Sequence, residues 1–299
     1  MRAVAVPGRW VWGLSGLVTL AVIAIPGTRL ITTAGVPVPA PPQGFATRTV
    51  TVPQPVTSLT VDTYGGQVQV AGGPVSRVHI SETIMYDLKG GGLPPVAESV
   101  SSGRLSLGDP ACQYSDCSVN FAVTVPSDLT VTVATQGDPV SVSGTAGANL
   151  DSDGGSVDAT QIGGPLTVAT NGGPLVVNGL TGQLRADTSG GNLSARGVAA
   201  ATATVTTDGG DARIAFAKTA DTVTVSTGGG AAAIAFAEAP DTVLVSTDGG
   251  SAVLTVPGGP YAVTADSGGG PQWVGIATNP AARSSITVTS GGAPLRIQP

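Results

Sequence analysis

The sequence predicts an all-β chain wound as a β-solenoid. Three observations carry this expectation. A Gly-Gly turn recurs at a near-fixed period, apolar residues alternate on either side of it, and the composition favours small strand formers. The chain has 299 residues with 44 Gly and 23 Pro, yet only 11% are charged and 4% aromatic. A disordered chain would be charged and poor in aliphatic residues. Here Val, Thr and Ala dominate instead. Branched Cβ atoms fit a pleated surface, and glycine supplies tight turns. Such residues build many short strands around a thin core.

The first element is the apolar run Trp10–Ile25, which holds no charge and follows Arg2 and Arg9. Extended through Leu30 and Ile31, with Arg29 snorkelling, it reaches the ~20 residues of a membrane helix. Trp10 and Trp12 fall where an interfacial aromatic belt sits, and the arginines place residues 1–9 in the cytoplasm. Residues 10–31 are therefore expected to be a signal-anchor helix. The rival is a signal peptide cleaved near Thr32-Thr33-Ala34, which would release the chain. Either way the remainder is exported. Residues 32–48 follow as a Pro-rich spacer (Val36-Pro-Val-Pro-Ala-Pro-Pro42), extended and semi-rigid.

Residues 49–135 are expected to be an irregular capping part of the β domain, since terminal repeats of solenoids are atypical. Val61-Asp-Thr-Tyr-Gly-Gly-Gln-Val-Gln-Val70 already has the turn-then-strand shape. A long loop from Met85 to Pro110 interrupts it, and Asn120–Pro126 resumes a strand. Within this part lie the only cysteines, Cys112 and Cys117. Their spacing suits a small disulfide loop in an oxidising compartment. A zinc site would need more soft ligands, and the chain has one histidine, His79.

Residues 136–299 carry the repeat. The turns read Asp151-Ser-Asp-Gly-Gly155, Thr170-Asn-Gly-Gly173, Thr188-Ser-Gly-Gly191, Thr207-Asp-Gly-Gly210 and Thr227-Gly-Gly-Gly230. Thr247-Asp-Gly-Gly250, Ser267-Gly-Gly-Gly270 and Thr289-Ser-Gly-Gly292 continue them. The glycines step by 18 to 20 residues until a last step of 22. Self-similarity at such a period marks a repeat architecture. Each period holds two short alternating strands, for example Leu175 and Val177 after one turn and Leu184 and Ala186 before the next. One face of each strand is then buried. Two strands per 18–20-residue coil describe a parallel β-helix, taken as right-handed from the general crossover preference. Leu166, Leu184, Val223 and Val243 should form a ladder, and Phe216 should stack on Phe236. Asp-Gly-Gly and Asn-Gly-Gly also suit hairpins, so an antiparallel sandwich or meander is the alternative.

In this order of parts the chain resembles a widespread bacterial family of exported β-strand-repeat proteins that carry the name adhesin. The matching features are the N-terminal membrane segment, Val61–Val70, the Cys loop followed by Val123-Thr-Val-Pro-Ser127, the iterated Thr-x-Gly-Gly turns, and Val256-Pro-Gly-Gly-Pro-Tyr-Ala-Val263. The resemblance implies a β-solenoid ectodomain at the cell surface, with a link to envelope stress in some members. It brings no catalytic residues, and a shared fold is weak warrant for function.

Chemistry-bearing patterns are sparse. No Gly-x-Ser-x-Gly elbow, P-loop or dinucleotide fingerprint occurs. The net charge is −6, with Lys89 and Lys218 the only lysines. The basic footprint of a nucleic-acid binder is therefore missing. His79 reads as an outward strand residue. Asp153, Asp208 and Asp248 precede Gly pairs and could in principle hold calcium or serve as an acid pair. Asn171, Ser189, Gly228, Ser267 and Ser290 interrupt that slot, so turn capping by the Asp side chain is the expectation. Trp273 breaks the alternation and is either a ligand contact or a lid on the C-terminal end of the core. Catalytic, cofactor and metal sites are not expected. Trp273, Asp208 and Asp248 are the candidate contacts for a cell-surface protein or glycan. The expected function is a non-enzymatic, adhesin-like ectodomain. The alternatives are an envelope-stress sensor or scaffold working with membrane partners and, behind it, a polysaccharide-active β-helix enzyme.

Overall fold

The computed structural model describes residues 19–24, 43–88, 92–114 and 116–299. Two sheets face each other, one of 14 strands and one of 12. At the ordinary strand spacing the longer sheet extends roughly 60 Å. Along the repeat, each coil runs from a strand of the 12-stranded sheet, through the Gly-Gly turn, into a strand of the 14-stranded sheet. Examples are Leu166–Thr170 into Leu175–Leu180 and Thr222–Thr227 into Ala232–Phe236. Successive coils pair in parallel. The solenoid expectation holds for these coils, and the sandwich and meander alternatives do not.

The predicted ladders are present. Leu166 pairs with Leu184, Leu184 with Ala203, Ala203 with Val223 and Val223 with Val243. The rings of Phe216 and Phe236 stack with centroids 4.8 Å apart and planes 7° from parallel. The inward columns are almost wholly Val, Leu, Ile and Ala, as a narrow space between two sheets requires.

Chain order and spatial order part company at both ends. The last coil in sequence, Ser285–Ser290 with Leu295–Gln298, lies between two earlier ones. On one side is Thr242–Thr247 with Ala252–Thr255, and on the other Ala262–Asp266 with Gln272–Val274. At the other end, Ser58–Thr63 and Val68–Gly73 lie between Thr130–Thr135/Val140–Ser143 and Arg104–Gly108/Cys117–Pro126. Beyond Cys117–Pro126 the pairing turns antiparallel, through His79–Asp87 and then Gln43–Thr51. Ala97–Ser101 closes the other sheet, antiparallel to Arg104–Gly108.

The membrane helix expected over residues 10–31 is not seen. Of that segment Thr19–Ala24 is described, and it forms a strand antiparallel to Gln43–Thr51. The rest lies outside the described residues, as do residues 1–9 and most of the Pro-rich spacer. No helix among the described residues is long and apolar enough to cross a membrane. A short apolar run suits either a helix or a buried strand. As a strand, its backbone groups find partners on the edge of Gln43–Thr51.

Candidate functional site

The recurring Thr-x-Gly-Gly turn has a definite division of labour. The Thr ends its strand buried, and its hydroxyl donates to the carbonyl three residues on. Thr170 donates to Gly173 at 2.7 Å, Thr188 to Gly191 at 2.6 Å and Thr227 to Gly230 at 2.6 Å. The second glycine sits against the backbone of the preceding coil. A Cβ on Gly173, Gly191, Gly210, Gly230 or Gly250 would lie 1.9–2.1 Å from the carbonyl oxygen of the equivalent glycine there. The first glycine faces open space, as Gly209, Gly229 and Gly249 do.

This corrects two sequence readings. The hydroxyl one residue before the Asp slot closes the turn, where the Asp side chain was expected to. Ser267 and Ser290 belong to that hydroxyl position, donating to Gly270 at 2.6 Å and Ala293 at 2.7 Å. The final turn is therefore Ser290-Gly291-Gly292-Ala293, one residue later than its sequence alignment. Gly268 and Gly291 take the Asp slot there.

The slot residues Asp153, Asp208 and Asp248 are exposed. Asp153 accepts a 2.8 Å bond from the Asn171 amide in the next coil. Asp208 and Asp248 are held two coils apart with Gly228 between, which at strand spacing is about 10 Å. Among the described residues no group of three His, Cys, Asp or Glu side chains could hold a metal ion.

Cys112 and Cys117 form the expected disulfide, between Arg104–Gly108 and Cys117–Pro126. His79 is exposed on its strand, its Nδ1 3.0 Å from the Thr51 hydroxyl. It lines an open groove of about 520 Å³ on the outer face of the 14-stranded sheet, with Thr49, Gln69, Ser81, Thr124 and Ser141. Trp273 is 46% exposed on that same outer face, with the Arg296 guanidinium 4.5 Å from its ring centroid. It is not a lid on the core. The C-terminal end of the core instead opens into a hollow of about 470 Å³ lined by Val263, Ala265, Gln272 and Val274.

Outside the turns, the exposed faces carry hydroxyl columns in register. On the 12-stranded sheet one column runs Thr60, Thr132, Asn149, Thr167, Arg185, Thr204, Thr224, Leu244 and Thr287. Leu244 stands out from it, 43% exposed.

One cluster escaped the sequence reading. Arg48 of Gln43–Thr51 hydrogen-bonds Glu98 of Ala97–Ser101 and lies 3.6 Å from Glu82 of His79–Asp87. Both glutamates are buried. Burial pushes Glu82 up to about 7 despite the pull of Arg48, and raises Glu98 in the same way. Buried Asp109 is also raised by desolvation, although it accepts from the Tyr64 amide at 2.8 Å and the Thr63 hydroxyl at 2.9 Å. The signal was available, because Glu82 sits between Ile80 and Ile84 at an inward place of an alternating strand.

No protein-family description matches the chain, and no curated protein does. Similar solved structures exist. A "putative adhesin" from Parabacteroides merdae has a TM-score of 0.46 at 14% identity, over 84% of this chain and 95% of that one. A second "putative adhesin", from Bacteroides fragilis, has 0.43 at 12% identity, over 85% and 97%. A "putative lipid binding protein" from Parabacteroides distasonis has 0.39 at 11% identity, over 84% and 96%.

Proposed function

We propose that the chain is a non-enzymatic surface protein, a right-handed solenoid rod that presents its outer faces to a cell-surface protein or glycan. The observation that supports this reading most is the in-register column from Thr60 to Thr287, six of whose nine places carry a Thr hydroxyl. Side chains on stacked parallel strands sit at fixed spacing and lose little freedom on contact. Such a surface gives many weak, repeated contacts, which suits adhesion through multivalency. Gly228 stands between Asp208 and Asp248, so the turns carry no continuous carboxylate ladder for a glycan-cleaving site.

Export rests on the sequence. Arg2 and Arg9 before the uncharged run Trp10–Ile25 suit a single-pass anchor with the solenoid outside, or release after cleavage. The disulfide fits an oxidising compartment.

A panel of immobilised glycans and surface-protein extracts, probed with the purified chain, tests the proposal. Saturable binding without product release is expected, weakened when Thr204 and Thr224 are both changed to Lys. Turnover of any glycan, abolished by Asp208→Ala, would sink the non-enzyme reading.

A further inference from the structure

The buried ions at the N-terminal end of the rod have an unbalanced charge count. Among the described residues, Arg48 is the single cation between two carboxyl groups from opposite sheets. The side-chain exposures are 20% for Arg48, 0% for Glu82 and 2% for Glu98. Arg48 faces Glu82 across the antiparallel pair, and Phe121 faces Glu82 from the other side. The groups along the same strand, Ile80 and Ile84, are apolar. Among the described residues, the charges acting on Glu82 are Arg48 and Glu98. Among the described residues, both Glu82 oxygens and Glu98 Oε1 are buried without a hydrogen-bond partner.

Two ionised carboxylates here would leave a net negative charge in an apolar layer, which is costly. One retained proton removes that excess. Protonated carboxyls are also donors, so unpartnered acceptors gain a use.

We propose that Arg48, Glu82 and Glu98 form a proton-operated latch, in which one proton held by the two glutamates locks the sheets together at the N-terminal end of the rod. Loss of that proton loosens Ala97–Ser101 and Gln43–Thr51 while the central coils stay intact. Repeat arrays allow this, because each coil depends mainly on its neighbours.

The sign follows from the raised Glu82 value. Its ordinary value is 4.5 and its folded value about 7. Between these the folded state binds more protons than the unfolded one. The latch is therefore at full strength below about 4.5, weakens as pH rises through about 7, and stays weak above it.

Amide hydrogen exchange on the full chain tests this from about pH 5.5 to about 8.5. Protection in Ala97–Ser101 is read as a ratio to the central strand Thr222–Thr227, after correction for intrinsic exchange. The ratio should fall at least about tenfold as pH rises. In Glu82→Gln, which holds a neutral amide at every pH, the ratio should stay flat. Glu98→Gln leaves one carboxylate for one arginine and should also flatten it, which serves if the first variant folds poorly. A flat ratio in the unaltered chain, or an unchanged slope in either variant, would overturn the latch.

Discussion

The two glycines of a single turn should respond in opposite ways to the same methyl group. At Gly210 an added Cβ would lie 2.1 Å from the Gly191 carbonyl oxygen and 2.4 Å from its carbon, both backbone atoms of the neighbouring coil. Ordinary contact begins near 3.4 Å, so the two coils must part by more than an ångström. That strains the 2.8 Å bond from the Leu193 amide to the Asp211 carbonyl beside it and the closure of Gly210 by Thr207. Overpacking costs about 1–3 kcal/mol and each lost hydrogen bond about 1. Gly210→Ala should therefore destabilise by about 3–5 kcal/mol. Gly209 has nothing within 4 Å and no left-handed φ. Gly209→Ala should stay within about 0.5 kcal/mol of the parent, or gain up to about 1 from reduced unfolded-state freedom. Urea unfolding, followed by circular dichroism and by exchange in Leu193–Val198, measures both. Equal losses in the two variants, or a neutral Gly210→Ala, would refute the stacking account.

Two other changes probe the turn and the cap. Thr207 is fully buried and donates to Gly210 at 2.5 Å. Thr207→Val keeps the shape but leaves that carbonyl short of a donor, so a loss of about 1–2 kcal/mol in urea is expected, with Thr207→Ser losing less. Opening the small Cys112–Cys117 loop by Cys112→Ser should cost about 2 kcal/mol on the chain-entropy account. Exchange should quicken in Arg104–Gly108 and Cys117–Pro126 and stay unchanged in Thr222–Thr227, because the effect is confined to neighbouring coils.

What was legible in the sequence was whatever repeats. The alternation at Leu175 and Val177 and at Leu184 and Ala186 gave the inward faces, and the Gly-Gly period gave the coil. Parallel stacking then followed, and so did the pairing of Phe216 with Phe236. The order of coils at the ends was not legible. Ser285–Ser290 follows Ala262–Asp266 in the chain yet separates it from Thr242–Thr247. Periodicity records that a coil exists and says nothing of which neighbour it chooses. The Arg48–Glu82–Glu98 cluster was hidden for a related reason. Its members are far apart in sequence, and only the return of the chain across both sheets brings them together. Of the two readings of Trp273, the lid fails because its register against Arg296 depends on that same intercalated coil.

The drift in the repeat period has a physical cause that ties these features together. From buried hydroxyl to the first core residue of the next strand the count is constant in every Gly-turn coil except that of Ser267, where exposed Gln272 takes the place. Thr170 to Leu175, Thr188 to Leu193, Thr207 to Ala212, Thr247 to Ala252 and Ser290 to Leu295 all span five positions. In the Thr-x-Gly-Gly turns two requirements fix that corner together: the hydroxyl must meet the carbonyl three residues on, and the second glycine must lie on its equivalent below; in the last turn, where Ala293 takes the second-glycine place, the hydroxyl bond alone remains. The opposite corner has no such double constraint. Leu175 to Leu184 spans nine positions, Leu193 to Ala203 ten, and Ala212 to Val223 eleven. The shorter coils pass through a left-handed residue there, Gln161, Gly179 and Gly197 in successive coils. The register shifts between Ala195 and Val198, where that feature ends. The coil therefore has one fixed corner and one adjustable one. Insertions that vary a surface would accumulate at the adjustable corner, where Lys218, Thr219 and Glu238 already form an exposed hydrogen-bonded cluster.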